Sequence, residues 1–552
     1  MHSLKIYTVL FFIQFLFIRT EAINAETEFN SKFSESRLRR HVNFLGNDLF
    51  EGRAVGTTGA NISAKYLADK FDEIGLHPIG TNSTYYQYIP MHGSSPMPES
   101  VLKVWNDGIE YGLEINRDFW LYNSGEQAFL AGAQELVFVG YGINALEYDY
   151  SDYFFIDVEG KIVVFLSGEP VSNSETYFNG NKPSKYSSPA MKQRTAMAMG
   201  AKGSILISDV TDFQDEAYNK YMNTFAFENV ELAYSPASNL NILMPPAQAQ
   251  VLFENSSNSL AEVFEMERNN KISSFTLKSK LEFNGKFKQR DFISQNIVGL
   301  LPANSPESTD EYIIVSAHYD HLGIGPAING DSIYNGVLDN AIGCAGLIEL
   351  AEYLHKSNTK LKRSVLFILT TGEEKGLLGS SYYTDNPIVP LYKTVANINI
   401  DGMAFIDEFH SIVPVGAEQS ELSEIINKVS VEMNLTIEHI PEEFSEADNA
   451  FQMSDQAAFA AKGIPSVLVM DGTNYKSLSR SEGLARLIDY SKNKYHTPFD
   501  DLSIPINYKA TKQHLGFLCR LIEQIANTDK VPEWYTGSPY SNERLRSRAE
   551  KR

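Results

Sequence analysis

Apolar positions recur along this chain with two periods, and the change from one to the other divides it. Segments 35–45 and 60–75 carry apolar side chains at helical intervals. In the second, Ala64, Leu67, Ala68, Phe71 and Ile74 share a face and Gly75 stops the helix. Between the two lies a glycine-rich turn, LFEGRAVGTTGAN. A polar, aromatic-rich stretch follows from about 78 to 127. The middle of the chain then turns to short β-branched runs at 135–140, 161–166 and 203–207, with a small-residue helix at 191–199. From Asn296 onward the pattern is regular. Apolar runs of strand length at 312–316, 364–369, 395–400 and 466–469 alternate with helical segments at 341–354, 379–384, 420–433 and 457–461, and an amphipathic helix at 507–527 closes the series. Uninterrupted apolar strands alternating with helices predict a mostly parallel sheet covered on both faces.

The 552 residues suggest roughly two to four domains. With 43% hydrophobic and 21% charged residues there is apolar material for a large core, so no disulfide staple is required. The net charge of -22 argues against nucleic acid or anionic lipid as the partner. The arginine-rich end from Arg544 is the local exception and reads as a solvated terminus. The first 25 residues read as a signal peptide: Lys5, an apolar stretch over 6–18, then small residues at Ala22 and Ala25. That stretch is short for a membrane span, which needs about 20 residues. Export permits disulfides, but the two cysteines, Cys344 and Cys519, sit in apolar helical contexts. Two buried free thiols fit at least as well as one bridge.

In an open α/β sheet, sites form outside the carboxyl ends of the strands, and several such ends carry metal-binding residue types. One strand runs into His318-Tyr319-Asp320-His321, where Asp320 can accept from the second ring nitrogen of His318 and fix its tautomer. Asp339 opens a helix and alone reads best as its N-cap. A third strand ends in Glu373-Glu374, and two adjacent carboxylates are tolerable when one binds metal and the other is a base. A fourth ends in Asp401, on the same strand face as Asn399. His496 lies near the C-terminus, ahead of Asp500 and Asp501. Singly, each of these has a bland explanation. Together they form an ordered set of carboxylates and imidazoles that suits zinc, and five ligands can serve two ions if one carboxylate bridges.

The ordered motifs AHYDHLG, LDNAIG, TGEEKGLLGS, NINIDGM and YHTPFDD resemble those of the co-catalytic zinc aminopeptidases of the aminopeptidase Y and aminopeptidase S type. The texts FEGRAVGTTGAN, YLADKFDEIGLHP and SDQAAFAAKGIPSV are similar to the same family. FVGYGI, GKIVVF and GAKGSILIS resemble an inserted protease-associated domain. The resemblance implies two Zn2+ ions. His318 and Asp401 would hold one, Glu374 and His496 the other, and Asp339 would bridge. Glu373 would be the general base, Asp320 the partner of His318, and Tyr495 a stabiliser of the oxyanion. One departure is Gln456, where the family often has histidine after the aspartate of its SD motif.

The expected fold class is therefore α/β: a mixed sheet with a mostly parallel core flanked by helices, the zinc exopeptidase fold, carrying a β-rich insert. The expected division is 1–25 signal peptide, 26–129 N-terminal part of the peptidase domain, 130–285 insert, 286–535 catalytic domain and 536–552 basic tail. The expected function is an exported metalloaminopeptidase, periplasmic or extracellular, acting on peptides with a free N-terminus. Neither nucleic acid nor stable membrane insertion after signal removal is expected. A carboxypeptidase or dipeptidase, a glutaminyl cyclase-like transferase and a non-catalytic receptor-like protein are the alternatives on this scaffold.

Overall fold

The structure, a computed structural model, describes residues 32–550 except 122–129, 131, 173, 175–176, 179, 181–183, 185, 209–223, 235–238, 358 and 445–446. The expected signal peptide lies outside the described residues. Two compact units emerge, one of residues up to Ile89 and from Ile293, the other of Pro90–Phe292.

The run of strands that positions the site in the first unit is, among the described residues, β1 (Phe287–Leu301), β2 (Tyr312–His318), β3 (Ser364–Thr370), β4 (Thr394–Asn399), β5 (Ser411–Val415), β6 (Thr436–Ile437) and β7 (Ser466–Asp471). Their order is β1-β3-β2-β4-β7-β5-β6. The four central strands β3, β2, β4 and β7 run parallel, while β1 and β5 pair antiparallel to β3 and β7. The expected mixed sheet with a parallel core is thus observed. Helices α1 (Glu35–Leu45), α2 (Thr58–Ile74), α3 (Ile342–Lys356), α4 (Leu378–Asp385), α5 (Leu422–Glu432), α6 (Gln456–Ala461), α7 (Arg480–Asn493) and α8 (Tyr508–Asn527) complete this layer structure. One large cluster gathers apolar residues of α1, α2, α3, α5 and α8 with those of β2, β3, β4 and β7. A second joins Val298, Ile314, Leu366 and Ile368 with Tyr383 and Phe459. Alternate side chains of β2 and β3 enter different clusters, which is why these strands read as continuous apolar runs. Cys344 and Cys519 are both buried and free.

Among the described residues the second unit has an eight-stranded sheet whose four adjoining strands Gln134–Phe138, Ile162–Leu166, Gly203–Ile207 and Leu240–Met244 run parallel. It begins forty residues before the boundary expected at 130. The strands Val101–Asn106 and Ile109–Glu114, expected in the peptidase domain, belong here: the first pairs with Phe275–Asn284 and the second with the first. Their half-polar pattern gives no sign of which sheet they join.

The basic tail is also corrected. A helix, α9 (Ser541–Ala549), packs on the first unit, with Arg544 only 2% exposed and donating to the Thr394 carbonyl at 2.9 Å. Trp534 anchors the approach by donating to the Gly463 carbonyl at 2.9 Å. Arginine carries an apolar stem, and one buried contact of this kind is invisible in a run of charges. Among the described residues no helix is long and apolar enough to cross a membrane.

Candidate metal centre

Three of the parallel strands deliver site residues from their carboxyl ends. His318 is the last residue of β2, Glu373 and Glu374 form a short turn after β3, and Asp401 follows β4. Asp339 stands just before α3 with non-helical backbone angles, φ -119° and ψ 84°. It does not cap that helix. The cap position is Ala341, and the first turn is met by Asn340, whose Oδ1 accepts the Gly343 N–H at 3.0 Å and also the Gly402 N–H at 3.0 Å. Asn340 thereby ties the Asp339 loop to the Asp401 loop and leaves the Asp339 carboxylate free to face inward.

The five residues expected from sequence converge. His318 Nε2 lies 3.1 Å from Asp401 Oδ1 and 3.2 Å from Asp339 Oδ1. His496 Nε2 lies 3.2 Å from Asp339 Oδ2 and 3.2 Å from Glu374 Oε2, though it is not aligned as a hydrogen bond. One Asp339 oxygen therefore faces each histidine, and each histidine faces a further carboxylate of its own. Three carboxylates converging in a mostly buried pocket demand cationic partners. The donor set is the N/O type that zinc takes. Four ligands around zinc, with bonds of about 2.0–2.2 Å, stand about 3.3 Å apart, close to the separations here.

The electrostatics follow from this crowding. Burial works against charge on His318, but the facing Glu373 and Asp401 and the hydrogen bonds that the imidazole gives to Asp339 and Asp401 outweigh it and hold the imidazole well above its ordinary pKa. Burial likewise opposes charge on His496, yet Glu374 and Asp339 raise it to about 10. Asp339 and Glu374 are driven well below the usual carboxylate range, their burial outweighed by the histidines around them. Glu373 is pushed the other way, first by burial and then by Asp401, Glu374 and Asp455, with His318 opposing.

The reading of Asp320 is corrected. Its main-chain carbonyl, not its carboxylate, stands 3.2 Å from His318 Nδ1. The chain turns directly after β2 and brings the carbonyl of the second following residue to the Nδ1 edge of the ring. The carboxylate instead accepts the Glu373 N–H at 3.3 Å. Tyr495 stacks on His496, ring centroids 3.9 Å apart and planes 21° apart. Gln456, the departure from the family pattern, accepts from Asn399 at 2.8 Å and lies in a polar network beneath the site with Ser454 and Ser316.

Three further residues shape the site. The Arg53 guanidinium is fully buried and donates to the carbonyls of Tyr319 (2.8 Å), Leu45 (2.6 Å), Asn335 (2.6 Å) and Gly336 (2.9 Å). Asp500 accepts from the main-chain N–H groups of Leu338 and Asp339. His321 is buried with Nδ1 at 2.6 Å from Glu374 Oε1. The arginine of the glycine-rich turn and the polar residues flanking His318 and His496 were visible in sequence. Nothing in their spacing tells which loop each one reaches.

Residues 296–522 match the model of Peptidase family M28. "Probable leucine aminopeptidase 2" of Aspergillus oryzae is 27% identical over 41% of this chain and 44% of its own length. Aminopeptidase YwaD of Bacillus subtilis is 32% identical over 20% of this chain and 21% of its own. The chain thus spans less than half the length of these curated relatives. The solved aminopeptidase from an Aneurinibacillus species superposes with a TM-score of 0.56 at 16% identity, covering 92% of this chain and 97% of that one, which is a likeness of fold.

Proposed function

We propose, on the premise that residues 296–522 form a domain of peptidase family M28, that this chain is a two-zinc aminopeptidase. The observation that carries this reading is the Asp339 carboxylate, with one oxygen 3.2 Å from His318 and the other 3.2 Å from His496. His318 and Asp401 would hold one ion, Glu374 and His496 the other, and Asp339 would bridge. Zinc bound there would lower the pKa of a water towards about 7 and polarise the scissile carbonyl. Glu373 takes the proton of the attacking water and returns it to the leaving amine. Asp320 holds the Glu373 main chain, and so the base, beside the ligands. Tyr495, fixed by stacking on His496, offers its hydroxyl to the oxyanion. Burial, and then the surrounding carboxylates, hold that phenol well above its ordinary pKa, so it stays a donor. No covalent intermediate is needed.

The names of the relatives support action at a free N-terminus. Export by a cleaved N-terminal signal, and a protease-associated role for the unit Pro90–Phe292 in shaping access or binding substrate, belong to the same proposal. The test is a peptide panel with free and blocked termini, with Glu373→Gln as control. Release of N-terminal residues only from unblocked peptides is the expected result. Cleavage of N-acetylated but not C-amidated peptides would overturn the aminopeptidase reading.

A further inference from the structure

His321 belongs to neither ligand set. We infer that it is a positioning residue that fixes Glu374 as a ligand, an inference that rests on the two-zinc reading above. The distance from His321 Nδ1 to Glu374 Oε1 is 2.6 Å. Two donors on one zinc cannot approach so closely, since bonds of about 2.0–2.2 Å in a tetrahedron set them about 3.3 Å apart. The four ligand pairs at 3.1–3.2 Å fit that spacing, and this pair does not. It is a hydrogen bond, with the ring N–H donating to the carboxylate.

The ring is built into place. His321 is fully buried, and among the described residues its Nε2 meets no hydrogen-bond partner. Gly336, at φ +61°, lies against the ring so closely that a Cβ there would stand 2.4 Å from His321 Cγ. Arg53 reaches both sides of this contact, because its side chain holds the Gly336 carbonyl and its own carbonyl receives the His321 main-chain N–H at 3.4 Å. Among the described residues Nδ1 meets Glu374 Oε1 at hydrogen-bond distance, while Asp339 Oδ2 stands farther off at 3.9 Å. That leaves Oε2 directed to His496 and restricts the carboxylate to a single rotamer, as an outer partner of a ligand does.

The experiment is a zinc titration of metal-free protein against a chromophoric chelator, with kcat and KM measured alongside. His321→Leu removes the donor. His321→Asn places an amide N–H near the position of Nδ1. His321→Gln, whose amide nitrogen reaches the Nε2 position instead, substitutes for the leucine variant if that one does not fold. Loss of the donor is expected to weaken one zinc-binding step by about 10–100-fold and leave the other unchanged, with kcat falling more than KM rises, and the asparagine variant is expected to regain most of the affinity. Wild-type affinity at both steps in the leucine variant would overturn the proposal. Equal loss in the asparagine and leucine variants would also overturn it and make His321 a direct ligand. Failure of the underlying two-zinc reading would look different, because the unmodified protein itself would then not take up the second ion.

Discussion

The Asp500 carboxylate receives the main-chain N–H of Asp339 at 3.0 Å, and its other oxygen receives that of Leu338 at 2.9 Å. The residue read as the bridge is therefore aimed by a second carboxylate, 161 positions later in the chain. Asp500→Asn would set an amide N–H against one of these main-chain donors. The expected result is zinc affinity and kcat/KM lowered by about 10–100-fold. A loss of about 1–3 kcal/mol in denaturant unfolding should accompany it. Unchanged zinc affinity in a folded variant would show that Asp500 only closes the loop.

Arg53 makes four carbonyl contacts from a fully buried position. A lysine keeps the charge but has three donors on a single nitrogen and cannot span that fork. Arg53→Lys should cost about 2–5 kcal/mol of stability, read from urea unfolding, because carbonyls and a charge are left without partners. Activity should fall further than stability explains, since the Tyr319 and Gly336 carbonyls belong to the loops that carry His321 and Asp339.

A pH dependence follows from His514. Its Nδ1 accepts the Ala404 N–H at 3.1 Å and its Nε2 donates to the Val469 carbonyl at 3.1 Å, so the neutral tautomer is fully used. Burial holds its pKa down to about 4. The unfolded chain, with a histidine pKa of about 6.5, binds the proton first as pH falls. This contribution is complete above about pH 6.5 and is lost progressively down to about pH 4, up to about 3 kcal/mol in all. Urea unfolding between pH 7 and pH 4 should show stability falling, and His514→Gln should flatten the slope by about one proton. An unaltered slope would mean that other groups govern the acid limb.

Much of this organisation was legible in the residue pattern. β2, β3, β4 and β7 read as buried parallel strands because both of their faces are covered. Their ends named His318, Glu374 and Asp401 in advance, since a strand's last residue is fixed by where its apolar run stops. Asp339 was less legible, because an aspartate before a helix is usually a cap. Here the first turn is served by Asn340, one residue on, and the Asp339 carboxylate faces the histidines instead. Arg53, His321 and Asp500 act through contacts across long sequence separations, and no local period encodes those. The boundary of the second unit is hidden in the sequence for a related reason. The strands Val101–Asn106 and Ile109–Glu114 are half-exposed and pair with each other, and only the long-range partner of the first, Phe275–Asn284, ties them to the second unit.

The proposed base gives a direct kinetic prediction. Glu373→Gln is nearly isosteric and leaves the five proposed ligands in place. It should lower kcat by about 10²–10⁴-fold, the usual contribution of a positioned base, with zinc content unchanged. Loss of zinc together with activity would move Glu373 from base to ligand.

The central claim is that Asp339 joins two metal positions, and the most direct measurement is the zinc stoichiometry of the metal-free protein and its Asp339→Asn variant, by calorimetric titration. Two ions per chain are expected for the unmodified protein, with both binding steps weakened in the variant because one carboxylate serves both. Saturation at a single ion, or loss of only one step in the variant, would contradict the account.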